Sequence, residues 1–145
     1  MRPVHTAARS LVIVPIAALA AASQRLAPAN PLPSVTGLKC VFTAAASAAP
    51  PDDVQPRSQP PLTVTITDID LGDGTARVNA GDGSRAATAQ ITGSNLYVLE
   101  IGANAVTLTT VFSQESKDQR LKAVHTRTAP EVAHFAGDCE ILKQR

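Results

Sequence analysis

The chain's 145 residues suit one small domain, and 13 basic against 12 acidic residues leave it nearly neutral, with no basic stripe. That excludes a nucleic-acid groove, which needs clustered Lys and Arg to replace phosphate counterions, and equally a polybasic membrane-surface patch. Aromatic residues make up 3%, with no Trp, so any core rests on Val, Leu, Ile and Ala and is thin.

Arg2, His5 and Arg9 give the chain a basic start, and Leu11 to Ala20 is an apolar run containing Pro15. Ala20-Ala21-Ala22 then offers the small residues that a signal peptidase accepts. This order predicts a secretory signal peptide over 1–22, with Ser23 as first mature residue. The product is expected to be exported, either periplasmic or secreted. The apolar run is about 12 residues, against the roughly 20 that cross a bilayer core, so no stable membrane span is expected. Cys40 follows Lys39, too far downstream to carry a lipoprotein's lipid. Without Arg2 and Arg9 the basic count falls from 13 to 11, against 12 acidic residues.

Pro28, Pro31 and Pro33 predict a flexible leader over 23–36. Leu38 to Thr43 reads as a first strand. Pro50, Pro51, Pro56, Pro60 and Pro61 predict a long Pro-rich loop over 44–61 in place of a ladder strand. From Leu62 the pattern changes: Leu62, Val64 and Ile66 alternate with Thr63, Thr65 and Thr67, the period of a half-buried strand. Asp70 to Gly74 is a turn cluster, Thr75 to Ala80 a short strand, and Gly81-Asp82-Gly83 a second turn around the favoured Asp-Gly dipeptide. Strands follow over Arg85 to Ile91, Leu96 to Ile101 and Val106 to Phe112, separated by Gly93-Ser94-Asn95 and Gly102-Ala103-Asn104. A polar loop over 113–119 precedes Leu121 to Thr128, and Phe135 to Leu142 closes the series. The prediction is an all-β domain over 37–142, an antiparallel meander of about eight strands. Its short connections favour a barrel, with a β-sandwich as the alternative.

An even cysteine count in an exported chain reads as a disulfide framework, and two cysteines allow one pairing, Cys40–Cys139. Two independent buried thiols are the alternative. A bridge over a loop of roughly 100 residues removes about 4–5 kcal/mol of denatured-state entropy. In an up-and-down barrel the first and last strands are neighbours, which such a bridge fits. Ligand spacing for zinc is missing.

Leu38-Lys39-Cys40-Val41-Phe42, Ile69-Asp70, Thr75-Ala76-Arg77 and Thr109-Thr110-Val111-Phe112 recur as landmarks together with Ala123-Val124-His125-Thr126-Arg127 and Gly137-Asp138-Cys139-Glu140. In these the chain resembles a family of small, uncharacterised exported bacterial proteins. The likeness spans Leu38 to Glu140, with Thr128 standing where the family has a His. It implies an exported β domain with paired terminal cysteines and no known activity.

Three places invite chemistry. If Val124 faces the core, His125 shares the other face with Ala123 and Arg127. A solvated strand surface is expected there, with a His–Arg binding face as the alternative. Glu100 shares a face with Leu96 and Val98; it belongs near water at a strand end, or in a pocket as a perturbed carboxylate. His134 has Glu131 and Asp138 nearby for a surface contact. Asp68, Asp70, Asp73 and Asp82 miss the register of a calcium loop, with Asn79 where a bidentate Glu belongs, and they also simply make turns. No nucleophile elbow or phosphate-cradling Gly loop appears.

The expected function is therefore a non-catalytic exported module that binds a small apolar ligand or an envelope protein, without a cofactor. The candidate binding face is His125, Arg127 and Glu100. A small hydrolytic enzyme using His125 with Glu100 or Arg127 is the alternative.

Overall fold

The computed structural model describes residues 29–48, 54–81, 83–115, 118, 120–129 and 131–143. The expected signal peptide lies outside them. Nine strands form in chain order: β1 (Leu38–Ala48), β2 (Gln55–Arg57), β3 (Leu62–Asp70), β4 (Thr75–Asn79), β5 (Ser84–Thr92), β6 (Asn95–Ile101), β7 (Val106–Glu115), β8 (Leu121–Arg127) and β9 (Val132–Ile141). Each pairs antiparallel with its neighbour, and β1 closes the ring by pairing with β9 from Leu38↔Ile141 to Ala48↔Val132. The result is an eight-stranded closed antiparallel barrel, with β2 as an extra strand. A sandwich is excluded by the closure.

The expected Pro-rich loop starts later than its composition implies. β1 runs on through Ala44 to Ala48, where its ladder with β9 supplies the hydrogen bonds. Gln55–Arg57 then adds β2 against Ala45–Ser47, on the edge of β1 that β3 occupies nearer its start. Pro56 is tolerated because β2 is an exposed edge, where its missing N–H breaks no ladder.

β1 shifts register between Phe42 and Ala44, and Gly137 lies at that bulge. A Cβ on Gly137 would stand 2.1 Å from the Val41 carbonyl oxygen, so only glycine lets β9 approach there. Asp68 marks a second irregularity, in β3, with φ 50°. Asp tolerates this left-handed backbone, and the bend it makes returns Ile69 to the interior.

Leu38, Cys40, Ile66, Leu96, Val111, Leu121 and Cys139 fill the lower interior. Cys40 and Cys139 are directly opposed across β1 and β9 and form the disulfide, closing a separation of 99 residues. Leu32–Ser34 forms a 3₁₀ turn with Leu32 at 0% exposure, and Val35 is buried beside it. Thr36 and Gly37 carbonyls accept hydrogen bonds from Ile69 and Leu142. The expected flexible leader thus ends, from Leu32 on, as an ordered plug at the end of the barrel where β3 and β9 finish.

Among the described residues no helix is long and apolar enough to cross a membrane.

Candidate functional site

The opposite end of the barrel is where β1, β4, β6 and β8 finish and β3, β5, β7 and β9 begin. Inward positions on β5 to β8 there are polar. Register alone sets them in rows: Glu100 pairs with Thr107, and Thr107 pairs with Arg127 on its other side. One step deeper Thr109 pairs with His125, and His125 with Phe135. Arg85 joins from β5, opposite Val78.

Glu100 is 5% exposed, and both carboxylate oxygens are satisfied. Arg85 Nη1 donates to Oε1 at 3.0 Å, and Thr107 Oγ1 donates to Oε2 at 3.4 Å. Arg85 itself is half exposed, at the rim. The expectation of a strand-end carboxylate near water is corrected: the barrel wall encloses Glu100, and an arginine makes that burial tolerable.

His125 is also 5% exposed. Its Nδ1 lies 2.8 Å from Thr109 Oγ1, which can donate to it or accept from it according to tautomer. The Phe42 and Phe135 rings flank it, with centroids at 5.5 and 5.7 Å. Burial holds the imidazole pKa down at about 4; Glu100 draws it up and Arg127 presses it down. At neutral pH the ring is uncharged. The expected solvated surface at His125 is therefore wrong in face. Val124 is the residue that turns outward, beside Ala44 and Ala136.

Arg127 enters no ion pair among the described residues. Its guanidinium carbon stands 5.9 Å from the Phe135 ring centroid, and its buried Nε has no hydrogen-bond partner among the described residues.

These side chains surround a cavity of about 150 Å³. Arg85, Glu100, Thr107, His125 and Arg127 form its polar side, and Leu62, Val78, Ala80 and Phe135 its apolar side. A shallower space of about 390 Å³ shares Arg85, Glu100, Thr107 and Arg127 and opens under the β6–β7 turn, Gly102 to Ala105. The structure thus brings Glu100, His125 and Arg127 to one mouth. Sequence reasoning missed Arg85, Thr107 and Thr109. The signal for Arg85 was alternation with Ala87, Ala89 and Ile91, which places it inward.

Thr109 is 2% exposed and does not line the cavity, whereas Thr107 does. An imidazole uncharged down to about pH 4 is a weak base. Among the described residues no group of His, Cys, Asp and Glu is placed to hold a metal.

Elsewhere, an apolar groove of about 430 Å³ runs along the outer wall past Ala44, Ala46, Val124 and Ala136. His134, at its edge, bonds Thr126 through Nδ1 at 3.1 Å. The expected contacts with Glu131 and Asp138 do not form, because Glu131 pairs with Arg57 and Asp138 with Lys122. Of the aspartates considered for calcium, Asp70 accepts the Gly72 and Asp73 amides of its own turn and Asp68 faces Arg77; Asp82 lies outside the described residues.

Comparison of the chain with protein-family models, curated proteins and solved structures finds no match.

Proposed function

We propose that this chain is an exported, non-catalytic binding barrel that takes a small ligand into its polar mouth. The observation that carries the reading is the convergence of Arg85, Glu100, Thr107, His125 and Arg127 from four strands around one cavity with an apolar far wall. A few placed polar groups beside an apolar surface are the usual make-up of a small-molecule site. An eight-stranded barrel has an interior just wide enough for one such guest. Export is supported by the basic, apolar and small-residue order of residues 1–22 and by a disulfide, which persists outside the reducing cytosol.

Native mass spectrometry of the oxidised protein, purified from its source without denaturation, tests the reading. A bound small molecule that leaves on mild activation is expected. Protein that is uniformly ligand-free, and that takes up nothing from a source extract, contradicts it.

A further inference from the structure

Among the described residues the mouth holds one cation without an ion pair, Arg127. Glu100 is matched by Arg85 and completed by Thr107. His125 is uncharged at neutral pH. Glu131, on the approach to β9, is taken by Arg57. Arg127 remains, lining both the inner cavity and the outer space beside Glu100, with no described carboxylate within 4 Å of its guanidinium. Phe135 offers its guanidinium a ring face, which attracts a cation without neutralising it. Arg127 Nε is buried with no hydrogen-bond partner among the described residues, which leaves the guanidinium uncompensated on that edge.

The shape adds a second constraint. The cavity wall across from the charged groups is Leu62, Val78, Ala80 and Phe135, and the volume of about 150 Å³ admits only a compact body. A free inorganic anion would leave that wall uncovered, and a neutral apolar guest would leave Arg127 unmatched.

We propose that the ligand is a small organic monoanion, a carboxylate on a compact apolar body, bound with its charge on Arg127 and its body against Phe135. This rests on the reading of the mouth as a ligand site and names the class of ligand. The planar fork of an arginine accepts a carboxylate through two parallel hydrogen bonds, a geometry that lysine lacks.

Isothermal titration of the oxidised protein at pH 7 with benzoate, hexanoate, benzamide and benzylammonium tests the proposal. Benzoate or hexanoate is expected to bind roughly tenfold or more tightly than benzamide, with benzylammonium undetectable. Arg127→Gln should abolish that preference and Arg127→Lys should keep part of it. Circular dichroism checks that both variants fold, and the charge series on the unaltered protein needs no variant. Benzamide binding as tightly as benzoate overturns the anion proposal but leaves the mouth a ligand site. If none of the four binds, the proposal falls as well, and the co-purified ligand alone then decides the reading of the mouth.

Discussion

Thr109 Oγ1 and His125 Nδ1 lie 2.8 Å apart on directly opposed positions of β7 and β8, at the depth where the barrel interior changes from apolar to polar. Below them Val111 faces Ala123, and above them Thr107 faces Arg127. The pair therefore caps the core beneath the mouth, and His125 alone of the two lines the cavity. Thr109 satisfies His125 Nδ1, which helps the barrel hold an uncharged imidazole at this depth.

That ring makes stability depend on pH. Its folded pKa of about 4 lies below the unfolded value of 6.5, with Glu100, Arg127, Thr109 and the two Phe rings around it. The unfolded chain takes up a proton that the native barrel refuses. Stability is therefore whole above about pH 6.5 and declines as pH falls toward 4, by on the order of 3 kcal/mol. Urea unfolding across that window measures it. His125→Gln should flatten this part of the profile, and a variant profile as steep as the original would contradict the assignment.

The disulfide joins the strands that close the barrel, across 99 residues of separation. Both half-cystines are fully buried, among a core short of aromatic mass. Replacing Cys40 and Cys139 together by Ala should lower unfolding free energy by about 4 kcal/mol. Denaturant melts of the double variant beside the oxidised protein give the value. Equal midpoints would show that closure rests on the ladder alone.

Leu32 tests whether the segment before β1 belongs to the fold. It is fully enclosed, and Asn30 Oδ1 accepts its backbone N–H at 3.0 Å. Leu32→Ala should cost about 2–4 kcal/mol, the usual range for emptying a core leucine site. A loss below about 0.5 kcal/mol, the scale of surface substitutions, would mean that the plug contributes nothing.

Gly137→Ala should be among the most damaging single-methyl additions in the chain. The added carbon meets the Val41 carbonyl and Phe42 Cα, which are backbone atoms that cannot rotate aside. A loss of about 2 kcal/mol or more is expected. Gly81→Ala is the comparison, since nothing stands near its added carbon and only its positive φ of 83° opposes the change. Similar losses at both sites would argue that β1 yields at its bulge.

Much of the barrel was legible because its signals are local. Leu62, Val64 and Ile66 show their face by alternation, and Asp70 shows its turn by taking the Gly72 and Asp73 amides. The extension of β1 was not legible, because Ala44 to Ala48 pair with β9, some ninety residues away, and their own propensity says little. Patterning puts His125 on the wrong face for a physical reason. Hydrophobic patterning assumes an apolar interior, but near the mouth the inward positions of β8 are polar, and Val124 faces an apolar groove outside. Glu100 carried the opposite hint, since it shared a face with Leu96 and Val98, and that face proved to be the interior. Thr107 and Arg127 could be joined only through register, which no single strand contains.

Ligand entry at the polar mouth is read out by amide chemical shifts. Titrating benzoate into ¹⁵N-labelled oxidised protein should move the amides of Arg85, Glu100, Thr107, His125 and Arg127, together with the turn from Gly102 to Ala105. Saturable shifts gathered along Ala44, Val124, His134 and Ala136 on the outer wall, with the mouth unmoved, would contradict it.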